Sequence, residues 1–548
     1  MRFSAIACSA LLGLIHASPL AGNSLNAKAT TFTNPVLWED YPDLEVIRIG
    51  DVFYYSSSTF AFSPGAPVLK SYDLVNWTPV SHSVPTLNFG SKYNLTSATD
   101  RAYVQGIWAS SLRYRESTDT FMWIGCVESS KSYIWTASGT GAKTNNGEVA
   151  NWNWKATASV DKCYYDCGLL VDDDDTIYVA YGSTNIMVAQ LNKDGTAEVK
   201  SQQVYAGSTY IEGSRMYKIN GYYYIFVTKP ATDEWVLKSK SPWGPYEMKV
   251  LVQSIAGPLA NAGASHQGGI VGTKDNNWYY VAFMDSFPGG RIPVVAPITW
   301  SSDGWPSLVK DSSGAWGRTY PFPVSTSKTV PPPTGTDNFQ GPSLSHEWEW
   351  NHNPDTTKFK LLGGSTGGLQ LSTATVTGDL YTARNTLTHR IIGPKSSGTF
   401  RLDISKMADG DRTGAALFRD NMAYIGIHRE GTTNKLVYVN NLSIDLNNSW
   451  KTNATGTVAA STTLSAGTTE VWLKVQADIT PAFNTATQRT TTFWYSTDGS
   501  KFTQLGSAFK MTNDWHFFTG FRYAVFNFGT KALGGVVQVK SFAMEKVT

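Results

Sequence analysis

The sequence predicts an all-β protein, a five-bladed β-propeller followed by a jelly-roll β-sandwich. Three observations carry that expectation. Beyond the N-terminal segment there is almost no helical periodicity, and aromatic and β-branched runs alternate with Gly, Asn and Asp turns. One hairpin signal recurs five times. A proline-rich break then precedes a second series of short alternating strands.

The elements follow in chain order. MRFSAIACSALLGLIHASPLAG has an early Arg, an apolar stretch and small residues at Ala17, Ser18 and Ala21, the pattern of a cleavable secretory signal over 1–21. The mature protein is therefore expected outside the cell, and no later apolar run is long enough to anchor it. Sequons at Asn76, Asn94, Asn441, Asn447 and Asn453 fit a secreted glycoprotein.

The propeller is expected over 30–324. Its five repeats of strand, polar turn and aromatic strand are LEVIRIGDVFYYSSS, SLRYRESTDTFMWIGC, GLLVDDDDTIYVAYG, RMYKINGYYYIFVT and IVGTKDNNWYYVAF. Asp43, Trp108, Asp166, Glu212 and His266 open the first strand of each, 46 to 65 residues apart, a length that holds one four-stranded blade. First strands line a propeller's axis, so these five side chains are expected at one mouth of the channel. Asp172–Asp175 instead occupy a hairpin turn, where Asp tolerates unusual backbone angles. STSKTVPPPTGT gives an extended linker over 325–336. From 337 to 548, runs such as TFRLDIS, AYIGIHRE and EVWLKVQAD alternate as the strands of a two-sheet sandwich.

Three cysteines follow the signal. Cys163 and Cys167 lie in one apparent strand, where a rise of roughly 3.3 Å per residue holds them too far apart to bond each other. Either can pair with Cys126, leaving one thiol over. The formal charge is +2 from 45 basic and 43 acidic residues, which offers no electrostatic footprint for nucleic acid or an anionic membrane. The expected partner is neutral. With 13% aromatic and 16% charged residues, the composition suits sheets and sugar-stacking surfaces.

Buried charge among apolar strands is expensive unless paired or used, which makes Asp43, Asp166 and Glu212 catalytic candidates together. Three carboxylates in an aromatic, neutral cleft point to glycoside hydrolysis: one activates water, one protonates the leaving oxygen, and the third raises the acid's pKa.

The stretches NPVLWEDYPDLEVIRIGDVFYYSSS, SPGAPVLKSYDLVNW, GIWASSLRY, YYDCGLLVDDDDTIYVAYG, YIEGSRMYKINGYYYIF and SHQGGIVGT resemble glycoside hydrolase family 43. DNFQGPSLSHEWEWNHNPD, ARNTLTHRIIGP and LDISKMADGDRTGAALF resemble the concanavalin-like sandwich of its xylosidase and arabinofuranosidase branches. The resemblance implies inverting hydrolysis, with Asp43 in YPDLEV as general base, Glu212 in IEGSR as general acid and Asp166 in YYDCG as the residue that raises and orients the acid. Inversion leaves room for a water, so the Asp43 and Glu212 carboxyls are expected roughly 6.5 to 9.5 Å apart. His266 in HQGG is the position the family places near calcium or ordered water, a structural ion at most, and no cofactor is required for the chemistry. Arg291 in GGRIPVV resembles an arginine that contacts substrate hydroxyls; Trp108 is a candidate wall of the sugar subsite.

Many xylosidases of the family have Pro-His after the acid's Glu-Gly, where this chain has Ser214-Arg215, and Trp-Ala-Pro where it has Trp108-Ala109-Ser110. These changes are expected on the pocket rim. They favour an α-L-arabinofuranosidase acting on arabinoxylan, similar to enzymes that remove 1,3-linked arabinose from doubly substituted xylose, with an exo-β-1,4-xylosidase and a non-catalytic carbohydrate-binding protein as alternatives. Plant cell-wall polysaccharide is the expected partner, and a monomer the expected state. A retaining fructosidase would carry Asn-Asp-Pro, Arg-Asp-Pro and Glu-Cys segments in place of YPDLE, YYDCG and IEGSR.

Overall fold

The computed structural model describes residues 30–97, 99–365 and 367–547; the expected signal segment lies outside them. Five four-stranded antiparallel sheets form the propeller, each built from strands consecutive within their sheet: 45–84, 110–160, 168–206, 212–253 and 266–308. The five hairpins read from the sequence are the two inner strands of each blade. Thr31–Thr33 pairs antiparallel with Thr319–Pro321, setting Phe32 opposite Tyr320, so the two ends of the propeller hold each other rather than sharing a blade.

The aspartate run makes a turn and joins blades. Asp175 sits at φ 70°, and its amide donates to Asp172 O at 2.9 Å. Tyr223 Oη donates to Asp172 Oδ2 at 2.6 Å and Lys218 Nζ to Oδ1 at 2.5 Å, both from the fourth blade. Arg115 Nε, from the second, donates to Asp175 Oδ1 at 2.9 Å.

Along the axis, alternation carries a second ring of polar side chains inward. Glu45, fully buried, accepts from Ser111 Oγ at 2.9 Å and Tyr217 Oη at 3.3 Å, and pairs with Arg113 Nη1 at 2.7 Å and Arg215 Nε at 3.6 Å. A buried carboxylate between two guanidiniums and two hydroxyls is satisfied, where an unpaired one would be very unfavourable.

The disulfide joins Cys126 to Cys163, closing a loop of 37 residues, and Cys167 is a buried free thiol. Loop closure of that length restricts the unfolded chain by about 4 kcal/mol in the chain-entropy account.

The sandwich packs a nine-stranded sheet on an eight-stranded one around a core that includes Trp348, Phe400, Leu473, Phe493 and Tyr523. Its edge is completed by the propeller: Phe62–Ser63, from the first blade, pairs with Trp348–Asn351. The segment 322–334 carries no strand, and Gly335–Asp337, overlapping the expected linker, already pairs with the last strand of the sandwich. Between the domains, Glu349 is fully buried and accepts from Arg390 Nη1 at 2.9 Å and Arg522 Nη1 at 2.6 Å, with His82 Nε2 of the first blade 3.2 Å away.

Candidate active site

Asp43, Asp166 and Glu212 line one cavity of about 160 Å³ at the propeller mouth. Three blades deliver them. Asp43 and Asp166 each stand two residues ahead of an inner strand, at φ 53° and 48°, the left-handed region in which Asp is less strained than most side chains. Such residues collect where a site holds them in place, at roughly 1–3 kcal/mol each. Arg215, wholly buried, does much of the holding: Nη2 donates to Asp43 O at 2.8 Å, Nε to Leu44 O at 2.9 Å and Nη1 to Cys167 O at 2.9 Å. Gly168 permits the approach, since a Cβ there would lie 2.6 Å from Arg215 Cα. Ser214 and Arg215 therefore lie buried beneath the aspartates and not on the rim, where the sequence reading put them.

The Asp43 carboxylate is gripped on both oxygens. Ser58 Oγ donates to Oδ2 at 2.5 Å and Arg291 Nη1 to Oδ1 at 2.6 Å. Glu212 is half-buried and begins its strand opposite Thr228, ahead of a bulge that ends at Arg215. Tyr165 Oη and Tyr210 Oη both donate to its Oε2, each at 2.8 Å. Burial pushes Asp166 well above the ordinary carboxylate range, reinforced by the charges of Glu212 and Asp43 and opposed by Arg215 and Arg291. Like charges gathered in one small cavity resist ionising together.

That shift has a consequence for stability. A carboxyl whose pKa is higher in the folded than in the unfolded protein favours folding below its unfolded value, near 3.9, and loses that contribution as pH rises through the folded value. Asp166→Asn removes the titration without changing shape. The Tm difference between variant and wild type is expected to be small near pH 3 and to grow to about 2 °C or more in the variant's favour by pH 8; a difference that is constant or shrinks with pH would contradict the assignment.

The walls are aromatic. Trp108 is half-buried, its Nε1 donating to Val104 O at 3.1 Å, and its ring meets Tyr165 edge-on. Arg291 is not the solvated ion pair that a post-turn arginine would ordinarily be. It is buried, carries the rings of Phe60, Phe283 and Phe518 at 5.2 to 5.7 Å, and its Nη2 has no hydrogen-bond partner. Phe518 comes from the sandwich and lines the same cavity. Arg291 Nε donates to its carbonyl at 3.1 Å.

His266 does not join them. Its ring packs on Phe283, with Nδ1 2.9 Å from Ala264 O, while the next residue, Gln267, at φ 44°, lines the cavity. A bulge runs from His266 to Gly269 just as one runs from Glu212 to Arg215, so the bulge by itself does not account for the exchange of His266 for Gln267 at the cavity. Among the described residues no group of three or more His, Cys, Asp or Glu is placed to hold a metal ion, and imidazole nitrogen is not the oxygen donor calcium prefers.

Gln267, Phe518, Tyr165 and Ser58 escaped the sequence reading as site residues. Tyr165 adjoins Asp166 and Gln267 adjoins His266, so a search extended by one residue would have found both; nothing local marks Phe518.

The model of the glycosyl hydrolases family 43 matches residues 32–306, and that of the beta xylosidase C-terminal concanavalin A-like domain matches 336–545. The chain belongs to family 43. This family 43 hydrolase is 30% identical to a beta-xylosidase from Formosa agariphila, over 69% of its own length and 71% of the relative's. It is 28% identical to a non-reducing end alpha-L-arabinofuranosidase from Bacteroides ovatus, over 62% and 65%. Among solved structures, a family 43 glycoside hydrolase engineered to display both endo-xylanase and exo-arabinofuranosidase activity is 60% identical, superposes with a TM-score of 0.92, and is matched over 94% of this chain and 100% of its own. A xylosidase and an arabinofuranosidase thus stand among its relatives, and family 43 hydrolysis requires no cofactor.

Proposed function

We propose that this family 43 enzyme removes α-L-arabinofuranosyl side chains from arabinoxylan with inversion, including 1,3-linked arabinose on doubly substituted xylose. The observation that carries the reading is the cavity itself. Its roughly 160 Å³ has room for a sugar ring, and three carboxylates line it. Arabinose is favoured over xylose by the likeness to the solved hydrolase engineered for endo-xylanase and exo-arabinofuranosidase activity. The xylosidase reading draws its support from the Formosa agariphila relative. The carboxylate cluster speaks against a protein that only binds carbohydrate.

In this reading Asp43, held by Ser58 and Arg291, is the general base that takes a proton from water. Glu212 is the general acid: its two phenol donors occupy Oε2, leaving Oε1 to carry the proton to the leaving oxygen. Asp166, buried beside it, keeps that proton in the cluster at working pH by like-charge repulsion. Arg291 Nη2, otherwise unsatisfied, donates to a sugar hydroxyl, and Trp108 covers an apolar face of the ring. Export is part of the proposal: a disulfide suits an oxidising compartment, and Asn76, Asn441, Asn447 and Asn453 are exposed as glycosylation requires.

Incubation with arabinoxylan and identification of the released sugar tests the assignment. Arabinose is expected, with the β-anomer formed first by proton NMR. Xylose alone would replace the reading with the xylosidase one; retained binding without release of sugar would replace both.

A further inference from the structure

Three residues ahead of the proposed base, in WEDYPD, stands a carboxylate that the chemistry above does not use. Asp40 is buried, and its two oxygens are divided between the domains. Oδ1 accepts from the backbone amide of Arg291 at 2.8 Å, in the fifth blade. Oδ2 accepts from the backbone amide of Gly520 at 2.9 Å, in the sandwich. Its own carbonyl accepts from Arg390 Nε at 2.8 Å, again from the sandwich.

The fit is close on every side. Gly290 adopts φ 92°, and a Cβ there would lie 2.4 Å from Asp40 Oδ1; at Gly520 a Cβ would lie 2.3 Å from Gly289 O. The two backbones meet with room for one carboxylate between their amides. Two residues from Gly520 is Phe518, at φ 61°, whose carbonyl accepts from Arg291 Nε. The loop is braced from its other side by Arg419, which is wholly buried and donates to Thr519 O at 2.9 Å, Thr512 Oγ1 at 2.6 Å and Asp514 O at 2.8 Å.

We propose that Asp40 is a positioning residue: by holding the amides of Arg291 and Gly520 on one carboxylate, it fixes the Arg291 guanidinium between Asp43 and Phe518. The orientation of Asp43 then depends on the docked sandwich, although that domain supplies no carboxylate to the cavity. Burial raises the Asp40 pKa, with the Arg291 charge and the two amide bonds opposing, so the site bears the burden of a desolvated acid where an apolar side chain could have filled space. Geometry gives the reason. A carboxylate accepts on both oxygens at once, whereas an amide must present a donor to one of the two N–H groups.

The inference rests on the reading of Asp43 as base, and its test is separate from that reading. Asp40→Asn is expected to lower kcat/KM on an aryl arabinofuranoside about a hundredfold, the scale of a small misplacement in a catalytic group. In an Arg291→Ala background the same substitution is expected to change kcat/KM less than about twofold, because the two act as one unit. Effects that multiply fully, or an active single variant, would overturn the proposal. Global destabilisation produces no such non-additivity at a temperature where all four proteins are folded. Should Asp40→Asn fail to fold, hydrogen exchange on the wild type decides: the amides of Arg291 and Gly520 are expected to be protected together, with rates within about tenfold. A Gly520 amide that exchanges freely while that of Arg291 is protected would refute the shared carboxylate. Neither the cycle nor the exchange depends on what Asp43 does; the variants of Asp43 itself test that.

Discussion

Glu212→Ala is expected to lower kcat on arabinoxylan, the proposed substrate, about a thousandfold, and on an arabinofuranoside with a good leaving group, such as a dinitrophenolate, less than about tenfold. The difference is the expected signature of a general acid. Departure of a sugar alkoxide needs a proton, and proton transfer by a positioned group is worth about 10²–10⁴ in rate, while a stable phenolate departs without one. The substitution also strips Tyr165 and Tyr210 of their shared acceptor. Glu212→Gln controls for that, since its side-chain carbonyl still accepts from both phenols, and it should show the same dependence on leaving group. Equal losses on both substrates would sink the assignment of the acid.

Asp43→Asn is expected to fall by about 10³ or more on both substrates alike. Water must be activated whichever group departs, so a better leaving group gives no relief. Asn is the informative replacement because its carbonyl still accepts from Arg291 Nη1. Asp43→Ala would leave a buried guanidinium beside a missing anion, and removing one partner of a buried pair costs about 3–5 kcal/mol on its own. A variant that lost activity only by unfolding would then be mistaken for a catalytic one. Substantial turnover by folded Asp43→Asn would remove Asp43 as the base.

What could be read in advance follows the physics of each element. The blades were legible because their inner strands are aromatic and β-branched with turns at regular spacing, and the carboxylates because equivalent positions of a repeat converge. The axial network around Glu45 was legible in principle: Asp43 and Glu45, and likewise Ser111 and Arg113, are two apart in or beside one strand and share a face. His266 was misplaced because it opens its blade in the register in which Glu212 opens the one before, while the side chain that reaches the cavity there is Gln267; Arg215 was misplaced because an arginine beside a catalytic residue is as compatible with a rim as with a floor. Phe518, Gly520 and Arg419 were beyond reach. They approach the mouth only through the docking of the second domain, 128 to 229 residues along the chain from Arg291 (419−291 and 520−291), and no local periodicity encodes that contact.

The Phe62–Ser63 strand has a further implication. Because the propeller lends this piece of chain to its neighbour's sheet, the strand-free proline segment is not where the molecule divides mechanically. A chimera joined there would receive a foreign sandwich whose outermost backbone groups must find the recipient's two-residue tongue in register. A transplant of the sandwich that keeps this protein's fold therefore has to carry the tongue together with its socket.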